Sequence, residues 1–337
     1  MGTIKIGSTK DKIGMTVDPR TVLFNDNNVK YIKCGLTEIW NYKKPLVPIM
    51  TSNTAPYGEV IRDSDHSSGS YKSYYAFDGK DDTRWHASKT TNAWIGYKFE
   101  TLTKINKIMI QPYCETTDGR VKNFIVQGSN DNLTYIDLYN GIAENSGETQ
   151  YFEFENEKHY LYYRVLIIDG YMSSGSIGVT ELQFYGTQLR ALIPAMTGDT
   201  TPSGEVSASS YYNDDYVAWH AFDNDNSTAW VSAETQTDTF WVQYKFNSPK
   251  KAIALKLASN TVNNANIFAK SFDLLGSNDG DDFEVVYSGE NTQKGHGVTY
   301  GHVFDNNKEY KYYRLVVNNT FDESVKRKQI GELQLYA

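Results

Sequence analysis

Polar and apolar positions in this chain alternate over short runs instead of recurring at helical spacing. Ile95, Tyr97 and Phe99 alternate with Gly96 and Lys98, which predicts a strand with one face in a core and the other toward water. Similar runs occupy 105–110, 122–127, 160–168 and 181–185, and again 252–257, 271–275, 311–317 and 332–336. Turn residues separate them, and no amphipathic helical stretch of useful length occurs. This pattern predicts an all-β chain built of β-sandwiches.

The runs also repeat. Met50-Thr51, Pro56 and Gly58-Glu59-Val60 return as Met196-Thr197, Pro202 and Gly204-Glu205-Val206. Trp94–Phe99 returns as Trp241–Phe246, Gly128-Ser129-Asn130-Asp131 as Gly276-Ser277-Asn278-Asp279, Tyr162-Tyr163-Arg164 as Tyr312-Tyr313-Arg314, and Glu181–Tyr185 as Glu332–Tyr336. The offset drifts from 146 (Met50 to Met196) to 151 (Glu181 to Glu332), so the insertions fall in loops. Two sandwich domains are expected, 50–187 and 196–337, joined by 188–195. Ahead of them, residues 1–45 form a separate small β unit, with runs at 3–6, 21–24 and 29–33 and a turn at 25–28. It is too small for a large core of its own, and the prolines at 45 and 48 stiffen the linker behind it.

Composition narrows the function. The 337 residues carry a formal net charge of −8 and no basic block, which argues against nucleic acid and against anionic lipid. No apolar stretch is long enough to insert in a membrane. The start lacks the apolar run of a secretory signal, so the expectation is a soluble protein made in a cytoplasm that leaves by lysis, by assembly or after loss of a leader. The two cysteines, Cys34 and Cys114, fall in different segments and read as free thiols. The six histidines are scattered, and there is no G-x-S-x-G, H-E-x-x-H, P-loop or G-x-G-x-x-G pattern. The chain reads as a binding protein, not an enzyme.

The densest polar motif occurs twice. Ala76-Phe77-Asp78, four residues and Thr83-Arg84-Trp85 match Ala221-Phe222-Asp223, four residues and Thr228-Ala229-Trp230. Phe and Trp bracket a loop rich in oxygen donors, which is the composition either of a loop around a hard cation or of a polar turn pinned between strands.

With these motifs, each repeat resembles a discoidin, or coagulation factor 5/8 type C, domain, the fold shared by family 32 carbohydrate-binding modules. The resemblance covers roughly 50–337 and implies jelly-roll sandwiches. It also implies a structural Ca²⁺ in each. The first ion would take Asp78 and Thr83 side chains, the carbonyls of Tyr75 and Lys80, and Glu181 with the Thr180 carbonyl. The second would take Asp223 and Thr228, the carbonyls of His220 and Asp225, and Glu332 with the Gly331 carbonyl. Such an ion clips together residues about a hundred apart. The Lys80 ammonium should weaken the first site, so the second is expected to be the tighter.

The resemblance further places ligands on loops at one end of each sandwich: 63–74, the stretch after Trp85, 111–120 and 169–177. These loops offer His66, Tyr71, Tyr74, His86, Tyr113, Glu115, Arg120 and Tyr171. The second repeat offers Tyr211, Tyr212, Tyr216, Trp219, Glu234, Asn260, Asn263, Asn264 and Phe321. Tyrosine beside His, Glu or Arg supplies both a flat face for sugar C–H groups and partners for hydroxyls. Many sugar-binding relatives carry an arginine near Cys114 or Glu115; its absence argues against galactose-type recognition.

Finally, Val29–Trp40 is similar to short anchoring segments of phage tail proteins, of the form x-V-K-x-I-Y-x-G-x-T-x-V-W. The combined expectation is a virion component, in the tail or at the particle surface. It would attach through 1–45 to other virion subunits, stand as a homo-oligomer on the particle, and bind bacterial surface glycans with avidity. A secreted glycan-binding protein or glycosidase accessory module, and a purely structural decoration protein, are the alternatives.

Overall fold

In a computed structural model the alternation at 93–99 becomes the first half of a 20-residue strand, Ala93–Pro112, which runs through both layers of a sandwich. The structure describes residues 44–112, 119–172, 176–234, 239–262 and 264–337, and ahead of these the backbone of five strands.

The front half of Ala93–Pro112 pairs with Glu59–Arg62 on one side and Tyr160–Ile167 on the other. Tyr160–Ile167 continues to Asn123–Ser129, and that strand to Ile136–Ile142. The back half pairs with Gln150–Glu153 and Gly178–Gln188, and the latter with Trp85–His86. All pairings are antiparallel. In the second sandwich the long strand is cut into Phe240–Lys250 and Ala254–Ala258. A five-stranded layer (Glu205–Ala208, Phe240–Lys250, Tyr310–Thr320, Ala269–Ser277, Glu284–Glu290) faces a three-stranded one (Thr299–Val303, Ala254–Ala258, Glu332–Tyr336). Trp230–Val231 pairs with Gln329–Ile330 at its edge. The all-β sandwich class expected from the alternation is what forms.

The repeated motifs turn out to be the joints of each sandwich. Trp85 and Trp230 are completely buried, and their indole N–H groups donate to the carbonyls of Ser64 (3.0 Å) and Ser210 (2.8 Å). The second tyrosine of each Y-Y-R crosses the core: Tyr163 donates to the Thr103 carbonyl at 2.8 Å, and Tyr313 to that of Lys250 at 2.9 Å. The arginines stack on the outer tryptophans, Arg164 over Trp94 (5.0 Å) and Arg314 over Trp241 (4.1 Å), and donate to Gln127 and Gln243. In each G-S-N-D turn the serine hydroxyl donates to the aspartate two residues on. Each buried large side chain contributes roughly 1.5–3 kcal/mol.

The polar face of 93–99 is less wet than alternation alone implies. Trp94 and Lys98 are half-buried, because the sandwiches pack on each other near this strand. Ile61, Leu102, Leu161 and Tyr162 of the first form one cluster with Ala254 and Tyr336 of the second. Main-chain bonds join them further: the Gly301 N–H donates to the Asn130 carbonyl at 3.0 Å, and Arg190 exchanges two bonds with Ala337. The segment 188–195 is therefore seated as an edge beside the last strand, and Val47–Ala337 behaves as one unit by its contacts.

Met1–Leu46 is a second unit. Thr3–Gly7 pairs with Lys12–Thr16, and Val22–Asn25, Asn28–Cys34 and Thr37–Asn41 form a three-stranded meander. Asn25 pairs with Asn28 across the turn expected at 25–28. Tyr113, Cys114, Glu115 and Asn263, and the side chain of Cys34, lie outside the described residues.

Candidate functional site

Short 3₁₀ turns, Ser73–Phe77 and Ala218–Ala221, bury Phe77 and Phe222 and deliver Asp78 and Asp223 to the last long strand of each sandwich. The Gly79 N–H donates to Glu181 Oε2 at 3.1 Å, and the Asn224 N–H to Glu332 Oε2 at 2.9 Å. Thr83 donates to both Asp78 oxygens (2.8 and 2.9 Å), and Thr228 to Asp223 Oδ2 at 2.7 Å. Asp78, Glu181 and Glu332 are buried, with no ion pair among the described residues. Burial pushes the Glu181 carboxyl up to about 8, with the charges of Asp78 and Asp81 adding and bonds from Gln183 and Gly79 opposing. Burial also holds Glu332 well above its ordinary value. Its Oε1 is buried without a hydrogen bond.

A hard cation fits this chemistry. Each site offers only oxygen donors, two carboxylates and a threonine hydroxyl; in the second the orphaned Glu332 oxygen also needs a positive partner, whereas both Glu181 oxygens accept hydrogen bonds, from Gln183 and Gly79. Among the described residues no group of three or more His, Cys, Asp or Glu is arranged for a metal, so backbone carbonyls would have to complete either shell. The Asp225 carbonyl already accepts from both the amide (3.1 Å) and the hydroxyl (2.7 Å) of Thr228. Lys80 is exposed.

At the loop end of the first sandwich three of the expected residues meet. The His66 and Tyr71 ring centroids are 5.4 Å apart, Tyr71 and His86 4.6 Å, and His66 and His86 6.4 Å. Arg84 completes the group: its guanidinium lies 4.8 Å over Tyr71, and its Nε donates to His86 Nε2 at 3.0 Å. Burial, then the charges of Arg84 and His66, depress His86 to about 4, so the ring is neutral near pH 7. The sequence pattern does not single out Arg84, because it stands inside the A-F-D motif. The usable signal was strand alternation: Trp85 points into the core, so Arg84 and His86 share the opposite face.

The other expected residues divide. Tyr74 packs on Tyr75 (4.7 Å) beside Asp78, and burial with the Tyr75 contact raises its pKa. Tyr171 and Arg120 are linked by a main-chain bond, but Tyr171 donates to the Ala143 carbonyl (2.7 Å) and Arg120 to Asn145 (3.3 Å), forming a separate group. In the second sandwich Arg327 lies 4.4 Å over exposed Tyr212 and 3.0 Å from Glu234, with Tyr216 6.0 Å from Tyr212. Arg327 is thus the second missed residue, here because it comes from a distant loop. Asn260 needs correction as a contact residue: it is fully buried, donates to the Thr228 carbonyl at 2.7 Å and accepts from the Val262 N–H, bracing the A-F-D loop. Trp219 and Phe321 are partly buried against the second core, so their rings are largely taken up by packing.

The F5/8 type C domain model matches residues 60–180 and 205–329. No curated protein matches the chain. Among solved structures, a fucolectin from striped bass (Morone saxatilis) serum is 13% identical, covering 85% of this chain and 98% of its own, with a TM-score of 0.36. A CBM32 module from Clostridium perfringens, solved with GalNAc-β-1,3-galactose, is 19% identical over 38% of this chain and 95% of its own, TM-score 0.35. The C-terminal domain of a Bacteroides fragilis chitobiase is 17% identical over 41% and 98%, TM-score 0.36. With the family model spanning well over half of its length, the chain belongs to the F5/8 type C domain family.

Proposed function

We propose that this chain is a non-catalytic carbohydrate-binding protein whose contact surfaces are the His66–Tyr71–Arg84–His86 group and the Tyr212–Arg327–Glu234 group. The observation that carries the reading is the first group: the Tyr71 ring at a loop end, met edge-on by His66 and at a tilt by His86, with the Arg84 guanidinium over its face. Such a surface combines an apolar face with directional donors, which is what a pyranose ring needs. Family membership supports it. A glycan array with the full chain, followed by titration of the best hit, tests it; no saccharide binding by the wild type ends the reading.

A structural Ca²⁺ belongs to the same proposal. Asp78, Thr83 and Glu181 are the residues that would hold an ion in the first sandwich, and Asp223, Thr228 and Glu332 are their counterparts in the second. When bound, the ion supplies positive charge to buried carboxylates and a crosslink between the loop and the last strand. The site of action we assign is the virion, with Met1–Leu46 attaching the chain to other tail or particle subunits and presenting several copies to bacterial surface glycans. The resemblance of Val29–Trp40 to tail anchoring segments supports this. Mass spectrometry of purified particles from the source, and incorporation of a chain lacking 1–45, test it; retention of the truncated chain in particles would sink the anchoring role.

A further inference from the structure

Strand register puts different residues at one equivalent position beside the two carboxylates. In the first sandwich Glu181 pairs with Gln111, and Gln183 with Met109. In the second, Glu332 pairs with Ala258, and Gln334 with Lys256. Lys256 and Glu332 are therefore diagonal neighbours on one face of adjacent strands, within reach of a long side chain. The opposite face of this pair of strands carries Leu255, Leu257, Leu333 and Leu335 into the core. Met109 offers no charge at the corresponding place.

Lys256 and Glu332 also open on the same space, a cleft of about 910 Å³ between the sandwiches, which Asn224 of the A-F-D loop lines as well. The Lys256 ammonium donates to the carbonyl of Glu100, in the first sandwich, at 3.2 Å. Burial weakens its hold on the proton, while the charges of Glu332 and Glu100 act the other way. A buried carboxylate with one orphaned oxygen and a tethered ammonium across the same cleft are complementary.

We propose that Lys256 is the built-in counter-cation of Glu332, and that it closes the second sandwich to a divalent ion while the first stays open. This rests on the calcium reading above and reverses the order expected from Lys80. A dication entering beside Glu332 meets an ammonium on the same face of the sheet, held by the Glu100 carbonyl, and like charges in a buried cleft repel far more than in water. Lys80, by contrast, has its side chain in water, where its charge is screened.

Calcium titration by calorimetry, on the full chain after removal of metal with EDTA, tests this. The wild type is expected to bind one Ca²⁺, lost in Asp78→Asn and kept in Asp223→Asn. Lys256→Met, which copies Met109, is expected to bind two, with the new site at least about tenfold tighter than any residual second site of the wild type. Lys256→Arg keeps the charge and is expected to bind one. Circular dichroism confirms that each variant is folded, and a calcium-dependent rise in Tm for Lys256→Met beyond that of the wild type is an independent readout. Two equal ions in the wild type, or an unchanged single ion in folded Lys256→Met, overturns the proposal and leaves calcium binding intact. No ion in any variant overturns the calcium reading with it.

Discussion

Arg84 donates through Nε to Nε2 of His86, two residues along the same stretch, while its guanidinium plane covers Tyr71. One side chain thus sets the imidazole tautomer and stiffens the aromatic platform. Removing it takes a hydrogen bond from His86 and the cation from the face of Tyr71. Tyr71→Ala and Arg84→Ala should each weaken saccharide binding by the first sandwich by about tenfold or more, roughly 1.4 kcal/mol, with little change in Tm. Titration of each variant with the best array hit measures this. Unchanged affinity in both would remove the group from the binding surface.

The two core tryptophans should be far more costly to lose. Trp85→Ala or Trp230→Ala removes a completely buried ring and is expected to destabilise by about 3–5 kcal/mol. Phenylalanine at either position restores most of the volume but leaves the Ser64 or Ser210 carbonyl without its indole donor, so a smaller loss of about 1–3 kcal/mol is expected. Chemical denaturation of the alanine and phenylalanine series separates the packing and hydrogen-bond contributions.

Gly58 and Gly204 occupy matching turns with φ of +71° and +79°. A Cβ at either would collide with the hydroxyl of Tyr97 or Tyr244, each of which donates to a nearby carbonyl, of Tyr57 and Ser203 respectively. Gly204→Ala therefore combines backbone strain with displacement of a core tyrosine. It should lower stability by about 2–3 kcal/mol. Gly69, with φ +70° and open space around it, should cost about 1 kcal/mol as alanine. Equal effects at the two positions would show that collision with the tyrosine matters little.

His302 gives the second sandwich a pH dependence with a defined sign. Burial depresses its pKa to about 4; its Nε2 lies 3.0 Å from Asn291 Oδ1 and its Nδ1 3.1 Å from the Tyr287 hydroxyl. In the unfolded chain the ring titrates near 6.5, so between about 6.5 and 4 the unfolded state binds more protons. Stability is therefore full above pH 6.5 and falls as the pH drops toward 4, by about 2–3 kcal/mol at pH 4.5. Urea denaturation at pH 7.5 and 4.5 should show this drop in the wild type. His302→Gln should lack that share of it, and the same drop in both proteins would assign it elsewhere.

Much of the molecule was legible from residue order alone. Period-two alternation and the turn signals specify short strands and an all-β sandwich fold, because a strand that buries one face must alternate. The same reasoning located the A-F-D loops, since Phe and Trp at fixed spacing bracket them in both copies. The family resemblance put His66, Tyr71 and His86 on loops at one end of the first sandwich, and there the three rings meet. It misjudged Asn260, whose amide braces the A-F-D loop from inside, and it passed over Arg84 and Arg327. Residue type does not reveal whether a polar side chain on a loop faces water or a backbone carbonyl.

What the sequence determined by itself is the local order of this protein: strand, turn, tryptophan and acidic loop, each set by interactions among residues close in the chain or by simple periodicity. What only the tertiary structure decided is which distant groups share a space. Lys256 reads from the sequence as an ordinary strand lysine; the fold sets it beside Glu332 and against the Glu100 carbonyl, 156 residues away. Lys80, close to Asp78 in sequence, is left in solvent. Electrostatic influence follows distance and burial in space, and neither is a property of position along the chain.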